Sequence, residues 1–108
     1  MVTNTVIQQL VDRIKQFDPE KIILFGSYAY GTPSEDSDVD LFVVKNVTRG
    51  EIRGLRLSIR THLRDIIYSQ KVPVDLLLDN QENINERIKL GDSIYTDIMK
   101  NGRTVYAK

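Results

Sequence analysis

The apolar positions fall into alternating helical and strand-like spacings. From Thr5 to Phe17, Val6, Ile7, Leu10, Val11, Ile14 and Phe17 recur at the interval of one helical face. Asp18-Pro19 predicts the end of that helix, because a proline pushes the residue before it out of helical backbone. Lys21 to Phe25 is a short apolar run and reads as a strand. Ser27 to Gly31 predicts a short helix with Ser27 as its N-cap, and Thr32 to Ser37 an exposed turn. Asp38 to Val44 is a second strand. After a loop at Asn46 to Gly50, the segment from Glu51 to about Ser69 predicts a long helix whose buried stripe is Ile52, Leu55, Ile59, Leu63 and Ile66. Pro73 to Leu78 is a third strand, with Pro73 early, where its missing N–H is tolerated. Asn80 to Lys89 predicts a short polar helix broken by Gly91. Asp92 to Lys100 predicts a last helix closed by Asn101-Gly102, and Arg103 to Tyr106 a terminal strand or tail. Together these elements predict an α+β fold: a small mixed sheet with helices packed mainly on one face.

Three carboxylates interrupt the apolar strands. Asp38 and Asp40 sit two apart, so an extended chain sends both side chains to one face, with Val39, Leu41 and Val43 on the other. Phe42 and Val44 continue the carboxylate face as apolar positions, which places the acids at the wet end of a buried strand. No lysine or arginine lies within it. Two neighbouring carboxylates without a cation repel, and one would hold its proton near neutral pH. A divalent metal removes the conflict, and hard oxygen donors suit magnesium. An Asp-x-Asp at a strand start also arises from turn chemistry alone. The pair Gly26-Ser27, at the end of the preceding apolar run, adds a place where backbone approaches closely, with free N–H donors and a hydroxyl for phosphate. Asp75 stands in the third strand, either as a strand-edge residue or as a further metal ligand.

Composition narrows the classes. Fifteen basic and fifteen acidic residues in 108 give a net charge of zero, so the overall field draws neither nucleic acid nor acidic lipid. The chain has no cysteine, which excludes disulfides and thiolate-bound zinc and fits a reducing cytoplasm. Its single histidine, His62, falls on the polar side of the long helix, with no second histidine to complete a site. The N-terminus lacks the pattern of a signal peptide, no apolar run reaches membrane-spanning length, and one domain is expected over residues 1–108. Arg53, Arg56, Arg60 and Arg64 form a stripe beside the buried face of the long helix. It reads as a solvated flank, or as a surface for an acidic partner or a polyphosphate.

Gly26-Ser27, ten residues, then Asp38-x-Asp40 resembles the signature of the polymerase-beta-like nucleotidyltransferase superfamily. In detail the chain is similar to the minimal nucleotidyltransferases encoded beside HEPN-domain proteins as toxin–antitoxin pairs, and the order of strands and helices follows that family over most of its length. The resemblance implies transfer of AMP from ATP to a hydroxyl, with two magnesium ions about 3.5–4 Å apart as cofactors. Asp38 and Asp40 would bridge the metals, and Asp75 would hold the one that activates the acceptor. Gly26 and Ser27 would grip the terminal phosphates. Tyr30 stands where many relatives carry arginine, so the nucleotide contact expected there loses its charge. A HEPN-type toxin is the partner implied, with AMP placed on one of its tyrosines. The chain is too short to hold the additional acceptor-gripping domains of larger relatives, so a partner must complete the site, and a homo-oligomer stays open. Two other readings compete: a nucleotidyltransferase for a small molecule or RNA end, and a non-catalytic module that neutralises its partner by occlusion. Three unpaired carboxylates argue against the last, and the lack of a basic surface weakens RNA.

Overall fold

The computed structural model describes residues 2–108. Its elements are α1 (Asn4–Lys15), β1 (Lys21–Phe25), α2 (Ser27–Tyr30), β2 (Val39–Val44), α3 (Arg49–Ser69), β3 (Val74–Asp79), α4 (Gln81–Lys89), α5 (Ser93–Asn101) and β4 (Arg103–Ala107). Each long helix starts where a side chain can occupy its free N–H groups. Thr3 accepts from Val6 N, Asn80 from Asn83 N and Asp92 from Tyr95 N. At α3, Glu51 reaches back to Thr48 N, closing a capping box. That box moves the start of α3 back to Arg49, ahead of the expected Glu51.

The sheet has four strands in the order β3-β2-β1-β4. β2 and β3 run parallel, joined through α3, while β1 is antiparallel to both β2 and β4. The C-terminal segment is therefore a strand, paired to β1 with a register shift between Ile22 and Ile23.

Strand alternation splits the core in two. Ile22, Leu24, Val39, Leu41, Val43, Val74 and Leu76 face α1 and α3, where they meet Leu10, Ile14, Ile59 and Leu63. Ile23, Phe42 and Val44 face the other way, onto Ile84 of α4 and Ile98 of α5. The two longer helices thus cover one face, as expected, and the two short ones cover part of the other. β2 is buried on both sides, which is why its sequence after Asp40 reads as a continuous apolar run.

β3 is an edge strand, and α3 guards it. Arg60 Nη1 donates to Val74 O (2.9 Å) and Arg56 Nη1 to Leu76 O (3.4 Å), occupying carbonyls that β2 does not use. His62 lies at the surface, its Nδ1 beside Ser58 O at 2.8 Å and its ring edge-on to Phe17.

Candidate functional site

The site grows out of the β1–α2 corner. Gly26 has φ 72° and ψ −159°, a region open essentially to glycine alone. It also lies so close to β2 that a Cβ there would collide with the Asp40 carboxylate. Gly26, rather than Ser27, occupies the N-cap of α2, and no side chain caps that helix. The expectation for Ser27 is corrected here: the chain turns so sharply at Gly26 that Ser27 is already the first helical residue. Gly26 O accepts from both Ala29 N and Tyr30 N.

Parallel pairing supplies the opposite wall. Asp40 of β2 is the direct register partner of Asp75 of β3, and on its other side it pairs with Phe25 of β1. Parallel partners share a face, so the two carboxylates emerge side by side, next to Gly26. Asp38 lies one residue before β2, in the exposed segment that Val39 N ties to Pro73 O. Asp75 and Asp38 are exposed, and Asp40 is partly buried. Burial, followed by the charges of Asp75 and Asp38, pushes the Asp40 carboxyl up from 3.8 to about 6. Among the described residues no lysine or arginine forms an ion pair with any of the three.

These features test the magnesium expectation. The donors are hard carboxylate oxygens, crowded enough to raise the proton affinity of Asp40, and no protein cation answers them. Their chemistry fits a divalent ion. Among the described residues, however, no three acidic or histidine side chains stand close enough to form a ready-made metal cage. Asp40 and Asp75 are brought together by the sheet; Asp38, outside the ladder, joins them through its charge.

Tyr30 closes α2 and is half exposed. Its hydroxyl donates to Asp97 Oδ2 of α5 at 2.7 Å, so its one proton is committed within the chain. That bond raises the tyrosine pKa and lowers that of Asp97.

One acid had no signal in the sequence. Asp79, at the end of β3, is only 4% exposed. It accepts from Asn80 N (2.8 Å), Asn83 Nδ2 (2.6 Å) and Tyr95 Oη (2.6 Å), which pins α4 and α5 to the sheet. Tyr95 in turn stacks edge-on against Phe42, two residues beyond Asp40. The alternation Asp75, Leu77, Asp79 places Asp79 on the carboxylate face; two of its partners follow at once in Asn80 and α4, while the third, Tyr95 of α5, lies 16 residues on. A cavity of 590 Å³ lined by Asn46, Arg49, Asn80 and Asn83 lies at the opposite, C-terminal ends of β2 and β3, away from the three acids.

A four-stranded mixed sheet with this strand order and a glycine corner beside β2 is the fold of a nucleotidyltransferase. The chain belongs to the nucleotidyltransferase domain family, whose pattern matches residues 7–105. It is similar to "Putative protein adenylyltransferase MJ0604" of Methanocaldococcus jannaschii, 29% identical over 87 residues, which span 81% of this chain and 78% of that one. It is also similar to "Putative protein adenylyltransferase MJ1305" of the same organism, 41% identical over 68 residues, covering 59% of this chain but only 43% of the relative. Among solved structures, "a putative nucleotidyltransferase from Sulfolobus solfataricus" superposes with a TM-score of 0.64 at 15% identity, over 96% of this chain and 79% of that one. A toxin–antitoxin complex solved with AMP-PNP gives a TM-score of 0.57 at 20% identity, over 99% and 75%. A mutant of the toxin–antitoxin pair MntA–HpeT gives 0.57 at 20% identity, over 100% and 75%. At these identities the structural matches speak to the fold.

Proposed function

We propose that this nucleotidyltransferase is a protein adenylyltransferase and antitoxin: it moves AMP from ATP onto a tyrosine hydroxyl of a HEPN-type toxin, in the cytoplasm. The observation that carries the reading is the side-by-side pairing of Asp40 and Asp75 against the glycine corner, with no lysine or arginine ion-paired to them among the described residues. The names of the two adenylyltransferase relatives and of the toxin–antitoxin neighbours support the same direction.

The acceptor oxygen forms a bond to the α-phosphorus as the bond from that phosphorus to the β-bridging oxygen breaks, and pyrophosphate leaves. Gly26 and Ser27 hold the terminal phosphates through backbone N–H groups and the Ser27 hydroxyl, which the missing Cβ of Gly26 allows to approach. Tyr30 borders this cradle as a neutral residue. Asp38, Asp40 and Asp75 are the residues that would hold magnesium here. Bound there, magnesium would offset phosphate charge and acidify the acceptor hydroxyl. Asp75 orients that hydroxyl and takes its proton on the way to solvent.

The test is incubation with α-labelled ATP, magnesium and the product of the adjoining gene. Label on a tyrosine of that partner, lost when Asp38→Asn and Asp40→Asn are combined, is the expected result. Toxin neutralisation that persists in the double variant, with no label transferred, would replace catalysis by occlusion.

A further inference from the structure

Four arginines of α3 remain outside the chemistry above. None of Arg53, Arg56, Arg60 and Arg64 pairs with an acid among the described residues. The two acids of the same helix are engaged elsewhere, Glu51 in the capping box and Asp65 with Arg13 at 2.7 Å. Arg56 and Arg60 bond neutral carbonyls, which leaves their charge uncompensated. In a chain with no net charge, this is a segregated positive face.

The same face exposes apolar surface. Leu57 is 50% and Tyr68 74% exposed. Together with Arg60, Thr61, Arg64 and Ile67 they line a groove of 400 Å³. Arginine and tyrosine flanking aliphatic carbon is the composition of a protein-binding surface, where a few such side chains carry most of the affinity. Its position bears on the reaction. Arg60 is bonded to Val74, the residue before Asp75, and β3 is an edge strand of the sheet. A partner seated on the groove stands one strand's edge away from the carboxylate assigned to the acceptor.

We propose that the α3 groove is the docking surface for the acceptor protein, and that the partner meets it with an acidic segment carrying interleaved apolar side chains. This rests on the reading that the acceptor is a protein. It assigns to the arginine stripe the task that additional domains would otherwise perform, holding the acceptor at the edge of the site. The charge of the groove sets encounter and orientation, and Leu57 and Tyr68 supply the buried contact. A single-stranded RNA would use the arginines and Tyr68 but gains little from Leu57 and Ile67.

The experiment measures binding of the adjoining gene's product to the full chain by calorimetry, alongside binding of a magnesium-free ATP analogue. Arg53→Glu with Arg64→Glu is the principal variant, since neither arginine makes a hydrogen bond among the described residues; Leu57→Ser is the second. The expected result is a loss of partner affinity of roughly tenfold or more for the charge reversal and about threefold for Leu57→Ser, a weaker dependence of the remaining affinity on salt, and unchanged analogue binding. Partner affinity within about twofold of the unmodified chain in both variants overturns the inference and leaves the adenylyltransferase reading standing. A partner that fails to bind even the unmodified chain removes that reading and the inference with it. Tight binding of a 20-nucleotide single-stranded RNA that is lost on charge reversal, with protein binding unaffected, would reassign the groove to nucleic acid.

Discussion

Asp40→Asn is expected to stabilise the fold while it destroys the chemistry. The Asp40 carboxyl rises from 3.8 to about 6 because burial and the charges of Asp75 and Asp38 disfavour its ionised form. An acid whose folded pKa exceeds its unfolded value binds more proton in the folded chain between those two values. Stability therefore falls as pH rises through that window and is lowest above it. For a fully enclosed group such a change corresponds to about 3 kcal/mol. Asp40 is only partly buried and water screens its neighbours, so roughly 1 kcal/mol is the realistic scale. An amide of the same shape carries no charge and escapes this cost. Without divalent metal at about pH 8, Asp40→Asn should raise the thermal midpoint by about 4–8 °C, the shift that ~1 kcal/mol produces in a domain near this size. Below about pH 4, under the unfolded value, the two proteins should melt close together. Magnesium should reverse the order, because a ligand that binds only the folded carboxylates stabilises the unmodified chain by mass action. Chemical and thermal denaturation across pH, with chelator and with magnesium, measures all three effects. A lower midpoint for the variant at about pH 8 in chelator, or the same pH slope in both chains, would refute the account of Asp40 as an uncompensated acid.

Two other substitutions probe the supports of the site. Gly26→Ala should cost at least 1–3 kcal/mol from backbone strain alone, and more because its Cβ must displace the Asp40 carboxylate; urea titration measures the loss, and calorimetry with an ATP analogue should show weakened binding. Tyr95→Phe leaves Asp79 Oδ2 without one of its two donors and should cost about 1.5–3 kcal/mol, read as a lower denaturation midpoint with faster amide exchange in α5; an unchanged midpoint would show that α5 is held by Ile98 and Phe42 packing alone.

The sequence was most legible where one local rule governed. Alternation along Asp38–Val44 put Leu41 and Val43 on one face and Phe42 and Val44 on the other, and the two separate cores observe that division; Asp38 stands one residue before the strand and outside its alternation. The glycine at the end of β1 was recognisable as a close-approach position, and the Asp40 carboxylate stands where its Cβ would fall. The N-cap of α2 was misplaced by one residue, because Ser27 is a good cap by composition while the collision with Asp40 decides where the turn must fall. Which face the short helices cover was not readable in the same way. α4 is mostly polar and offers only Ile84 and Ile88 to the sheet, too few for periodicity to announce a buried helix.

By itself, then, the order of residues determined the strands, the longer helices, and the face on which each acid of a strand emerges, since these follow from backbone period and from caps within a few positions. Only the tertiary structure decided that Asp40 and Asp75 are neighbours, that Tyr30 is tied to Asp97, that Asp79 is buried, and that two arginines of α3 close the edge of β3. Each of those depends on strand register or helix docking between residues 14 to 67 positions apart. Such contacts form only when the apolar faces on both sides of the sheet close together, and no local spacing encodes that.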